Sequence, residues 1–275
     1  MHAHDHGLEH DLTMLLARTM DRRRALKWLA AGGAASLPLI GCRDGAASNP
    51  TAPGAAATAS SARCAVIPDE TAGPFPGNGS NGNARGVANA LTQAGIVRRD
   101  IRASFGAAGA KVAPGVPLTI RLTLVDAGCA ALAGHAIYIW HCTRDGLYSM
   151  YSSGAAGENF LRGVQETDGG GAASFTTIVP GCYPGRVPHV HFEVYPSLAK
   201  ANAAARIKTS QFTFPMAMLA EAFASDGYGR SAANLAEVSH ANDGVFSDGA
   251  SLQTAAVSGN PGNGYIAALR VAIAV

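Results

Sequence analysis

The chain is poor in charge. Asp, Glu, Lys and Arg make up 15% of its 275 residues, and the formal net charge is +2. No basic run interleaves with aromatics, so nothing suggests a nucleic-acid partner. No repeat at a fixed period is evident, which argues against a solenoid or propeller. The apolar run from Trp28 to Ile40 is too short, and too rich in Gly and Ala, to span a bilayer as a stable helix. There are five cysteines, and their spacings fit no zinc pattern.

What the first residues do contain reads as a leader. His2, His4, His6 and His10 could bind metal, but they sit in a polar stretch that fits a discarded segment. Asp21-Arg22-Arg23-Arg24-Ala25-Leu26-Lys27 fits a twin-arginine export signal, with Ala in place of the usual aromatic residue. Leu39-Ile40-Gly41-Cys42 resembles a bacterial lipobox. The expectation is a signal segment over residues 1–41 and a mature protein in the periplasm or at the cell surface. Lipid on Cys42 would be its sole membrane anchor. A soluble protein cleaved elsewhere is the alternative. Residues 42–62 are mostly Ala, Ser, Thr, Pro and Gly, a composition that buries no core and acts as a tether. Residues 63–275 are long enough for one domain with a sizeable core.

Strand signals dominate that domain. Pro117–Asp126 alternates Leu and Ile with Thr and Arg, the period of a half-buried strand. Ala136–His141, Phe175–Val179, His189–Tyr195 and Thr209–Phe214 follow, each near Gly or Pro, and Tyr265–Val275 reads as a closing strand. Met216–Phe223 reads as one short helix. Residues 77–91, rich in Gly and Asn, read as a mobile loop. The fold class expected is all-β: a β-sandwich of mostly antiparallel strands, with long loops.

The stretch Gly181-Cys182-Tyr183-Pro184-Gly185-Arg186-Val187-Pro188-His189-Val190-His191 carries the chemistry. Residues i and i+2 of a strand share a face, so His189 and His191 project together. Tyr183, in a turn stiffened by Pro184 and Pro188, can fold back towards them. Arg186 adds a cation beside the imidazoles, suited to an anionic ligand. A His-x-His pair alone is weak evidence, since surface or hydrogen-bonded pairs are commoner.

A second segment sharpens the reading. Trp140-His141-Cys142, Gly146, Tyr148-Ser149, then Phe160-Leu161-Arg162-Gly163, then the Tyr183–His191 stretch together resemble the intradiol ring-cleavage dioxygenases. The nearest subgroup is the secreted, protocatechuate-dioxygenase-like one. The resemblance implies a non-haem Fe(III) enzyme that splits a catechol-type diol with O2. It implies Tyr148, Tyr183, His189 and His191 as metal ligands, Arg186 as a stabiliser of developing negative charge, and Gln211 as an orienter of substrate oxygens. Tyr183 would also leave the metal and act as a base. Two phenolates with two imidazoles suit trivalent iron better than zinc. Tyr138, Tyr151, Tyr195, His135 and His141 are not ligands in that pattern. The Thr71–Phe75 stretch would lie at the mouth of the site.

With Cys42 lipidated, Cys64, Cys129, Cys142 and Cys182 remain, allowing two bridges in three connectivities. The resemblance favours Cys129 with Cys142, leaving Cys64 with Cys182, and the connectivity stays open. Two other functions compete: a lipid-anchored sandwich binding protein with a non-catalytic metal site, and a zinc hydrolase using the His pair. The identity of the catechol and the oligomeric state are not encoded in any motif.

Overall fold

The computed structural model describes residues 63–275. The signal segment, the tether and Cys42 therefore lie outside the described residues. Two four-stranded sheets form the body. One has the order β6-β3-β10-β9, from β3 (Pro117–Asp126), β6 (Ala172–Ile178), β9 (Ala256–Asn260) and β10 (Gly264–Ile273). The other has the order β5-β4-β7-β8, from β4 (Ala136–Trp140), β5 (Arg162–Glu166), β7 (His189–Tyr195) and β8 (Lys208–Thr213). All pairs are antiparallel except β10 with β3, which run parallel from Tyr265↔Leu118 to Ile273↔Asp126.

Alternation explains the layering. Leu118, Ile120, Leu122 and Leu124 of β3 meet Ile137 and Ile139 of β4 and Val190, Phe192 and Val194 of β7 in one core. The opposite face of β4 and β7 is buried as well. There Tyr138, Trp140 and Tyr195 join Tyr148, Met150 and Phe105 in a second apolar cluster. β7 is covered on both faces and has no exposed residue, although its outer face carries His189, His191 and Glu193.

Three expectations need correction or extension. Residues 77–91 are not a mobile loop: β1 (Asn78–Asn83) pairs with β2 (Gly86–Asn89) as a hairpin. It packs on the second cluster through Ala88. The helix α1 (Met216–Phe223) is as expected, and a second one, α2 (Gly229–Leu235), follows it. The cysteines pair differently. Cys64 bonds Cys129, with Cα atoms 5.2 Å apart, while Cys142 and Cys182 are buried free thiols. Cys129 lies before β4 and Cys142 beyond its far end, so roughly 17 Å of strand separates them. Among the described residues no helix is long and apolar enough to cross a membrane.

Candidate metal centre

The outer face of β7 presents His189 and His191, both nearly fully buried. Their Nε2 atoms are 3.1 Å apart. The Tyr183 hydroxyl lies 3.1 Å from His189 Nε2, and the Tyr148 hydroxyl 3.4 Å from the same atom. The expected four donors, brought from two strand positions and two loops, thus converge on one point.

Local chemistry sets each one. His189 Nδ1–H donates to the Val187 carbonyl at 2.6 Å, which leaves Nε2 as the lone-pair nitrogen. Trp140, opposite His191 in the β4–β7 register, stacks on its ring at 5.0 Å and 5°. Tyr148 is buried in a tight turn where Ser152 Oγ accepts its N–H at 2.9 Å. Met150 closes that turn in the left-handed region at φ 71°. Tyr183 is only half-buried, beside the exposed Pro184-Gly185 turn, and Gly185 has φ 81°. That conformation favours glycine.

Burial, with Arg186 nearby, holds His189 well below the ordinary histidine pKa. Burial, then His189, Arg186 and Arg162, do the same for His191. Both imidazoles are therefore neutral, the form that ligates metal. Burial pushes the Tyr148 phenol well above 10, and the neighbouring Tyr183 adds to this. Without a cation to accept electron density, the Tyr148 phenol does not ionise easily here.

Arg186 is 4% exposed and its pKa is raised. Burial opposes its charge, but Tyr183 and Asp243 outweigh burial. Its Nε donates to Asp243 Oδ2 at 3.0 Å and its Nη2 to Gln211 Oε1 at 2.7 Å. Gln211 Nε2 donates to the Thr71 carbonyl at 2.8 Å. Gln211 is therefore engaged at both ends within the protein. It holds Arg186 and the Thr71–Phe75 stretch together. Arg186 Nη1 makes no hydrogen bond among the described residues and remains available.

The decoys are occupied elsewhere. The Tyr151 hydroxyl donates to Asn81 at 2.7 Å and accepts from Gly77 N at 2.9 Å. Tyr138 donates to the Pro76 carbonyl and stacks on Trp140. Tyr195 donates to Glu193, which Asn78 and Arg206 also bond. His141 is locked between the Cys142 carbonyl and Thr177, with its pKa lowered to about 4 by burial. His135 contacts the Ala133 carbonyl in a turn.

Sequence reasoning missed Asp243 and the work of Arg162, and it placed Phe75 only as part of the Thr71–Phe75 stretch. Phe75 lies 5.0 Å from the Tyr148 ring and 5.1 Å from Tyr151. Buried Arg162 donates to the carbonyls of Phe75, Pro76 and Ser149, tying the Thr71–Phe75 stretch to the Tyr148 turn. Arg162 was visible in its Phe-Leu-Arg-Gly motif. Asp243 had no such signal, lying in a Gly-containing loop 57 residues from its partner.

Do these residues fit an iron ion? Tyr148, Tyr183 and His191 all crowd the single Nε2 lone pair of His189. One lone pair cannot satisfy three partners. His191 Nδ1 is buried with no hydrogen bond; the Thr71 carbonyl is close enough to raise its pKa but outside bonding geometry. A cation among the four donors resolves the crowding, and the donor set of two phenolic oxygens and two nitrogens suits a hard trivalent ion. Among the described residues no group of three or more His, Cys, Asp or Glu could hold a metal, so the usual zinc donor sets are absent from them.

Residues 106–205, which include all four donors and Arg186, match the dioxygenase family model. Over those residues the chain is similar to the dioxygenases. The structure resembles an intradiol ring-cleavage dioxygenase from Tetranychus urticae, with TM-score 0.54 and 23% identity. That match covers 65% of this chain and 87% of the other. It also matches the dioxygenase domain of a dioxygenase–carbohydrate-binding fusion from Streptomyces sp. SirexAA-E, with TM-score 0.47 and 23% identity. There the cover is 77% of this chain and 99% of that one. No curated protein matches the chain. The sandwich is thus the intradiol dioxygenase fold, and the donors lie within the family's matched segment.

Proposed function

We propose that this protein is an Fe(III) intradiol dioxygenase. It would open a catechol-type diol between its hydroxyl-bearing carbons and place both atoms of O2 in a muconate-type diacid. The observation that carries this reading is the convergence of two phenols and two neutral imidazoles beside a buried guanidinium. Tyr148, Tyr183, His189 and His191 would hold the iron, which supplies Lewis acidity and a template for substrate and O2.

The protein's own groups divide the remaining work. His189 and His191, fixed on a strand, and buried Tyr148 keep their positions. Tyr183, half-buried on a Pro/Gly turn, is the donor best placed to leave, and its Oη, a phenolate while it holds the iron, would take a proton from a catechol hydroxyl. Arg186, with Nη1 unspent, stabilises negative charge that develops on the substrate, commonly the largest catalytic contribution. Gln211 accepts from its Nη2. Phe75 and the second apolar cluster exclude water, which strengthens every charge interaction in the site.

Three measurements together test the reading: iron per chain, visible absorbance and O2 uptake over a panel of catechols. The purified protein should be burgundy from phenolate-to-iron charge transfer. Arg186→Leu should keep iron and colour but lower kcat about 10²- to 10³-fold. Tyr183→Phe should bind iron and lose most activity, and His191→Ala should lose the metal. A colourless parent, or an Arg186→Leu variant at the parental rate, defeats the proposal. Export with a lipid anchor at Cys42 is part of the same proposal, supported by the twin-arginine and lipobox patterns. Cys42→Ala should release the protein or block its processing.

A further inference from the structure

Asp243 is completely buried, and its carboxylate is fully engaged. Both oxygens accept from Arg186 Nε, at 3.2 and 3.0 Å. Oδ2 also takes Val187 N–H at 2.7 Å, and Oδ1 takes Val245 N–H at 2.8 Å and Phe246 N–H at 3.3 Å. The Val187 bond reaches further, because the Val187 carbonyl accepts from His189 Nδ1. One carboxylate therefore joins the guanidinium, the residue after it and, through that residue, an imidazole of the donor set.

Arg186 contacts no other carboxylate among the described residues. Its second partner is the neutral amide of Gln211, which cannot offset a buried charge. The Phe246 ring lies 6.0 Å from the Arg186 guanidinium and 6.5 Å from the His189 ring. The loop carrying Asp243 thus backs both side chains at once.

We propose that Asp243 is a positioning residue that fixes the guanidinium plane of Arg186 and, through Val187, the ring of His189. It acts through those side chains, since its own oxygens have no capacity left. Its kinetic consequence rests on the dioxygenase reading, while its structural consequence does not.

The experiment uses the mature chain carrying Asp243→Asn, Arg186→Leu, or both. Asn keeps the shape but sets an NH2 group against the N–H of Val187 or against those of Val245 and Phe246. With iron loaded, Asp243→Asn should keep parental iron content and lower kcat about 10- to 100-fold, with KM changed less than about threefold. The double variant should be no slower than Arg186→Leu, because groups that act as a unit are not additive. A second readout needs neither metal nor turnover. In the metal-free chain labelled with ¹⁵N-arginine, Arg186 Nε–H should exchange slowly in the parent and at least about tenfold faster in Asp243→Asn. Arg162 Nε–H, which donates to Ser149 Oγ at 3.0 Å, should keep its rate. Unchanged exchange at Arg186 overturns the proposal. So do equal acceleration at Arg162, which signals general loosening, and a double variant whose losses multiply. A parent that consumes no O2 with any catechol defeats the dioxygenase reading instead, and the exchange rates still decide the role of Asp243.

Discussion

The indole of Trp140 lies parallel to the His191 imidazole, 5° from coplanar, with centroids 5.0 Å apart. The Trp140 Nε1 is buried with no hydrogen-bond partner among the described residues. The indole therefore serves through its face and not through its N–H. Trp140→Phe keeps a stacking face while losing the unmet donor and some buried volume, so iron per chain should remain near the parental value even if stability falls. Trp140→Ala leaves a cavity beside a proposed ligand. It should cost about 3–5 kcal/mol of stability and release iron during dialysis. Urea midpoints and iron content check both, and equal iron loss in the two variants would rule out a role for the stacked face.

A second prediction concerns the approach of the hairpin to Arg162. Gly77 has φ 60°, and a Cβ built there would lie 2.8 Å from Arg162 Nη1 and 3.3 Å from Met150 Sδ. Gly86 has φ 111°, but a Cβ there meets nothing within 4 Å. Both alanine variants carry a backbone cost of about 1–3 kcal/mol, and only Gly77→Ala also displaces Arg162. Gly77→Ala should therefore be the less stable of the two and should lose activity. Gly86→Ala should stay active. Equal activity in the two would show that the Arg162 anchor does not control the site.

Much of this architecture was legible because its signals are local. The alternation in Pro117–Asp126 and His189–Tyr195 marks strands with the bounds observed. The same period places both histidines on one face without any tertiary information. The helix Met216–Phe223 follows from Met218, Leu219, Ala222 and Phe223 lying on one buried side. What stayed hidden depends on distant partners. The hairpin at 78–89 has no apolar alternation, and Asn78 and Asn81 hold it by bonds to Glu193 and Tyr151. Arg186–Asp243 spans 57 residues, and Cys64–Cys129 spans 65. No spacing rule predicts either.

Gln211 supplies a third prediction. Its Oε1 accepts from Arg186 and its Nε2 donates to the Thr71 carbonyl. Gln211→Ala should therefore act as a weakened version of Arg186→Leu. Iron should be kept, kcat should fall about tenfold, and the double variant should be no slower than Arg186→Leu alone. If the Gln211 amide instead bound substrate oxygens directly, KM would rise and the two losses would multiply. Steady-state kinetics of the three variants separate these outcomes.

The last prediction concerns the cysteines and has a definite sign with pH. Cys142 donates to the Gly181 carbonyl at 3.4 Å, and Cys182 to the Arg186 carbonyl at 3.3 Å. Burial is the main reason that both thiols are pushed up to about 12. In the folded protein they are therefore protonated and unreactive at pH 8. Iodoacetamide should label neither before unfolding and both after it, while Cys64 and Cys129 should be labelled only after reduction. A thiol whose pKa is raised by folding contributes full stability below its unfolded pKa, near 8.5. That contribution falls as pH rises towards 12, by up to about 1.4 kcal/mol per pH unit for Cys142. Urea midpoints of the parent should drop between pH 9 and pH 11. Cys142→Ala should show a smaller drop over the same interval, because it has no thiolate to expose. The same pH dependence in both proteins would mean that Cys142 ionises without unfolding, and labelling of Cys64 without reductant would disprove the bridge to Cys129.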